Sequence, residues 1–65
     1  MKQSDVGRKV RVFDRPDGRG ILGVITQVYD DGYTFRMKTD NQREYEFTTS
    51  GEMAVQVQFI RVGDF

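Results

Sequence analysis

Apolar and polar residues alternate along most of this chain, with the period of two that belongs to half-buried β-strands. Over residues 9–13, Val10 and Val12 face one way while Lys9 and Arg11 face the other. Residues 21–29, containing Gly23-Val24-Ile25-Thr26-Gln27-Val28-Tyr29, run into Asp30-Asp31-Gly32. That Asp-Gly step supplies the positive backbone dihedrals of a short hairpin turn. The third strand, residues 32–39, sets Tyr33, Phe35 and Met37 on one face and Thr34, Arg36 and Lys38 on the other. Asp40-Asn41-Gln42 then turns the chain into residues 43–48, where Tyr45 and Phe47 alternate with Glu44 and Glu46. A fifth strand is predicted over residues 54–62, with Val55, Val57 and Phe59 against Gln56 and Gln58. Between the first two strands, Asp14-Arg15-Pro16-Asp17-Gly18-Arg19-Gly20 reads as a loop. Pro16 suits the second position of a turn, and Gly18 or Gly20 suits a positive φ.

No segment has helical periodicity over a useful length. Five short strands in 65 residues would leave two exposed edges in a flat sheet, and closure into a small barrel removes them. The expected fold is all-β: a single five-stranded SH3-like barrel spanning residues 1–65. An OB barrel is the rival, but it usually needs a longer chain and often a helix. Some apolar residues break the alternation. Phe13 sits at the mouth of the first loop, Ile60 follows Phe59 directly, and Ile21 and Tyr29 do not both fit the face that holds Ile25 and Val28. Such residues either mark a contact surface or fill the ends and bulges of a small barrel.

The first three strands resemble a KOW motif, the SH3-like element of transcription elongation factors and several ribosomal proteins. Gly7-Arg8-Lys9-Val10-Arg11-Val12, a glycine-rich loop, and Gly23-Val24-Ile25-Thr26-Gln27-Val28 carry the likeness. In that pattern Gly23 lets the backbone bend or bulge, so that Ile25 and Val28, three apart, both point inward. The resemblance covers about half the chain and implies the fold more strongly than the function. It departs from RNA-binding members in charge, since this chain has ten basic and ten acidic residues. A second, fainter likeness is to the plasmid-borne type II dihydrofolate reductases, small subunits that form a tetramer around a pore. Val55-Gln56-Val57-Gln58-Phe59 is distantly similar to their pore-lining strand.

Composition narrows the chemistry. With no Cys and no His, the chain has no disulfide framework, no thiolate or imidazole metal site and no Ser–His or Cys–His catalytic pair. Apolar burial, worth roughly 25 cal/mol per Å², must offset chain entropy unaided. The paired carboxylates Asp30–Asp31 and Glu44–Glu46 read as a turn cap and a solvated strand face. Gly18-Arg19-Gly20 lacks the helix N-terminus that phosphate cradles usually exploit. No cofactor and no enzymatic activity are expected. No apolar run reaches bilayer length, and Met1-Lys2-Gln3-Ser4-Asp5 lacks the apolar core of a secretory signal. The expectation is a complete, free-standing cytoplasmic protein, a monomer or weak dimer with no membrane contact.

Charge is unevenly spread. Residues 1–19 hold six cations and three carboxylates, a net +3, and the rest hold four cations and seven carboxylates, a net −3. Two binding readings follow. In the leading one the protein docks onto a larger protein or ribonucleoprotein through its first loop and adjacent strands, with Phe13, Arg15, Arg19, Ile21 and Tyr29 as contacts. In the alternative, Lys9, Arg11, Arg15 and Arg19 contact nucleic-acid phosphates directly. The sequence pI of about 6.1 favours the first. A pore-type reductase assembled around Gln56 and Gln58 is a third, more distant reading.

Overall fold

The computed structural model describes residues 1–15 and 18–61. After a short helical turn at Gln3–Asp5 come five strands: β1 (Lys9–Phe13), β2 (Ile21–Val28), β3 (Thr34–Thr39), β4 (Glu44–Thr48) and β5 (Gln56–Phe59). They form one antiparallel sheet in the order β4-β3-β2-β1-β5. The all-β class and the five strands are as the alternation predicts. The fifth strand, predicted over residues 54–62, is regular only over Gln56–Phe59; Pro16 and Val62 lie outside the described residues.

Strands β4 and β5 are the two edges, and they do not pair with each other as a ladder. Between them the Val55 amide donates to the Thr48 carbonyl at 2.8 Å. Closure into a barrel is therefore not made by strand pairing among the described residues.

The core lies on one face of the sheet. Val10, Val12, Ile25, Val28, Phe35 and Met37 are buried, and Ile21, Tyr45, Phe47, Val55, Val57 and Phe59 pack around them. The spacing of Ile25 and Val28 is resolved by a bulge: the β2–β3 register shifts between Ile25 and Gln27. The extra residue lets Ile21, Ile25 and Val28 all face the core and turns Tyr29 to the other side. Gly23 sits beside the bulge rather than in it. A Cβ there would lie 2.5 Å from Met37 Cε and 2.7 Å from the Lys38 carbonyl oxygen. Its role is close approach of β2 to β3.

Tyr33 departs from the expected pattern. It is 45% exposed, because regular β3 begins only at Thr34. Asp31 Oδ1 accepts hydrogen bonds from the amides of Tyr33 and Thr34, at 2.9 and 2.8 Å, and this fixes Tyr33 within the turn. Gly32 takes the expected positive φ of 82°.

Candidate functional site

Directly opposed residues on neighbouring strands share a face, so the register defines the outer surface. There β1 presents Lys9, Arg11 and Phe13, and β5 presents Gln58 and Gln56 opposite the last two. At the loop end of β1, Gly20 has φ +81°, and its backbone lies against Arg11 and Phe13. A Cβ at Gly20 would come within 2.6 Å of Arg11 Cγ and 3.0 Å of Phe13 Cε1. The bare backbone thus half-covers the Phe13 ring on the solvent side of the sheet. Beside it opens a cleft of about 450 Å³, lined by Phe13, Asp14, Arg15, Gly18, Ala54 and Gln56.

The predicted contact residues divide. Phe13 and Arg15 come together in this cleft. Arg19 is exposed and outside its lining. Ile21 lies opposite Val12 on the inner face and packs on the core. Tyr29 is at the far end of β2 and reaches over the outer face, where its hydroxyl donates to the Glu46 carboxylate. That bond is the main reason its phenol is held above the usual tyrosine pKa, with desolvation and the Glu46 charge adding to it.

The register also gathers cations that are far apart in sequence. Lys9 lies opposite Val24, and Val24 opposite Lys38; Arg36 lies opposite Gln27. Lys9, Arg11, Arg36 and Lys38 thus share the outer face of β1 and β3, flanking Leu22 and Val24 of β2. Sequence reasoning joined Lys9 and Arg11 to Arg15 and Arg19 but missed Arg36 and Lys38. The alternation had placed those two outward, yet only the bulged register shows their neighbours. On β4, Glu44 and Glu46 lie directly opposite Lys38 and Arg36.

Two further carboxylates, Asp31 and Asp5, serve local structure. Asp31 caps its turn, and bonds from the Thr34 hydroxyl and amide hold its carboxyl below the usual range. Asp5 is likewise held low, chiefly by the Lys2 amide and also by Arg8 at 3.2 Å. The Arg8 guanidinium stacks over Phe59, 4.1 Å from the ring centroid. No helix among the described residues is long and apolar enough to cross a membrane.

Compared with protein-family models, with curated proteins and with solved structures, the chain finds no match in any of the three. Its KOW-like and reductase-like resemblances accordingly rest on the residues quoted for them.

Proposed function

We propose that this protein is a non-enzymatic binding module with an SH3-like, KOW-like fold, which docks onto a larger protein or ribonucleoprotein through the cleft at the end of β1. The observation that carries this reading is the joining of Phe13 and Arg15 across one cleft with Ala54 and Gln56. A half-buried aromatic at a strand end, sharing a cleft with an arginine, has the make-up of an interface anchor. Arg19, Ile21 and Tyr29 lie outside the lining of the cleft.

Direct nucleic-acid binding is a second reading, favoured by the shared outer face of Arg11, Arg36 and Lys38 with Lys9. Glu44 and Glu46 border that face and weaken its positive field. Two variants separate the readings in an affinity capture from lysate with and without nuclease. Under the docking reading, Phe13→Ala loses a nuclease-resistant partner, and parent binding is only moderately salt-sensitive. Under the second, Arg15→Glu with Arg19→Glu abolishes oligonucleotide binding that falls steeply with salt, while Phe13→Ala leaves it intact. That second outcome would overturn the docking proposal.

A further inference from the structure

We propose that the open edge of β4 takes up a basic, extended segment of a partner protein as an added strand. This surface is distinct from the Phe13 cleft, although the two adjoin at Asp14 and Ala54.

The backbone bonding of β4 decides which groups are open. At one end the Thr39 amide donates to the Arg43 carbonyl at 2.9 Å, and at the other the Thr49 amide donates to the Tyr33 carbonyl at 2.9 Å. In an antiparallel ladder the bonded pairs alternate. Arg43, Tyr45, Phe47 and Thr49 therefore turn their N–H and C=O groups toward β3. Those of Glu44, Glu46 and Thr48 point away from the sheet. The Thr48 carbonyl is taken by the Val55 amide, so an incoming strand would pair at Glu44 and Glu46 and stop at Thr48.

Beyond that point lies a cleft of about 410 Å³, lined by Asp14, Glu46, Phe47, Thr48, Glu52, Met53, Ala54 and Val55. Phe47, Val55 and Ala54 supply apolar wall, and Met53 stands over it 81% exposed. Among the described residues, three carboxylates line the cleft and no cation does. None of the three, nor Glu44, forms an ion pair between described residues; the salt bridge found there is Arg8–Asp5.

Side chains of an added strand that lie opposite Glu44 and Glu46 share their outer face, and those opposite Tyr45 and Phe47 share the inner one. The fitting segment therefore alternates Lys or Arg with apolar residues. On the outer face its cations complete rows in which Glu44 and Glu46 are flanked by Lys38 and Arg36 on the other side. A second copy of this edge does not fit, because Glu44 and Glu46 would oppose like charges. Strand addition of this kind draws affinity from main-chain bonds and specificity from alternate side chains.

The test uses the full chain and three synthetic probes: a short alternating Lys/Val peptide, its Glu/Val counterpart, and the Lys/Val peptide N-methylated at alternate residues. Binding is read by fluorescence anisotropy, and backbone engagement by amide hydrogen exchange. The Lys/Val peptide should bind and slow exchange at the Glu44 and Glu46 amides by about tenfold or more, and the other two probes should not. Glu44→Lys with Glu46→Lys should weaken binding by about tenfold or more, because these outward positions set the charge match. Phe13→Ala should leave it unchanged, so loss of the Phe13 docking reading and loss of this one are separately visible. No binding, equal binding of the Glu/Val or N-methylated probe, or unchanged exchange at Glu44 and Glu46 would each overturn the proposal.

Discussion

Strands β1, β2 and β3 form the middle of the sheet, whereas β4 and β5 are its edges, and the two groups differ in what they bury. Among the described residues, all six buried apolar side chains come from the first three strands. Strands β4 and β5 contribute only partly buried ones, among them Tyr45, Phe47, Val57 and Phe59. A central strand is covered by neighbours on both sides, but an edge strand has one neighbour and one open side. In this protein the middle accordingly supplies most of the cohesion. The open backbone and one cleft lie at the β4 edge, while the other cleft spans the end of β1 and the chain entering β5. Burial is concentrated in the middle of the sheet, and the candidate recognition surfaces lie at its edges and strand ends.

The sharpest way to break that division is to compare two phenylalanines in contact. Phe35 is fully buried on β3, and Phe47 is half-buried on β4, their ring centroids 6.0 Å apart. Phe35→Ala should cost about 3–5 kcal/mol, lost transfer energy plus an unfilled cavity. A domain of this size has about 3–10 kcal/mol in all, so the variant should lose a third or more of its stability. Phe47→Ala should cost about 1–2 kcal/mol, because part of its ring is already in water and Tyr45, stacked 5.6 Å away, can settle toward the gap. Urea unfolding of the two variants checks this. Equal losses would show that β4 shares the cohesion of the middle.

The same division explains what the sequence disclosed. Strict alternation made Val10, Val12, Phe35 and Met37 legible as core residues, since each lies in a strand whose two faces differ sharply in burial. The positive φ at Gly32 was legible from its Asp-Gly step. Tyr33 misled because turn chemistry at Asp31, not side-chain hydrophobicity, decides where β3 begins. The candidate site was legible in part. Phe13 and Arg15 are separated in the chain only by Asp14, and they line the same cleft. Arg36, Lys38 and the open backbone at Glu44 and Glu46 depend on pairing between distant segments, which composition and periodicity do not encode. Ile21 and Tyr29 read as out of phase with each other because the bulge after Ile25 leaves Ile21 on the inner face with Ile25 and Val28 and turns Tyr29 to the outer one.

A smaller effect separates packing from conformation within the middle. Gly23→Ala adds one methyl group at a buried position, where the backbone φ is not in the left-handed region. The methyl would meet both the flexible end of Met37 and the unyielding Lys38 carbonyl, at 2.5 and 2.7 Å. Met37 can swing aside, but the carbonyl moves only if β3 does. The expected loss is about 1–3 kcal/mol, typical of overpacking. Gly23→Ala combined with Met37→Leu should not recover it, because the carbonyl contact remains. Thermal unfolding of both variants decides the point. Full recovery in the double variant would assign the close approach to the Met37 side chain alone.

The smallest expected effect concerns a side-chain hydrogen bond that reaches from the end of β2 to the β4 edge, Tyr29 to Glu46. Donation of the phenolic proton to the carboxylate favours the protonated phenol, and the nearby negative charge opposes its ionisation, so the folded-state pKa is raised. A raised pKa means a stabilising contribution that is whole below the unfolded tyrosine value, about pH 10, and is lost as pH climbs through the folded value. Its size is modest because the pair is exposed to water and salt. An ultraviolet titration of the protein, with Tyr29→Phe to assign the signal, should place Tyr29 above free tyrosine. Glu46→Gln should bring it back toward the ordinary value, since an amide oxygen accepts the bond without the charge. If the bridge tethers the edge, Tyr29→Phe should also speed hydrogen exchange in β4 while leaving the amides between β1 and β2 unchanged. A Tyr29 titration indifferent to Glu46→Gln would break the link between the two regions.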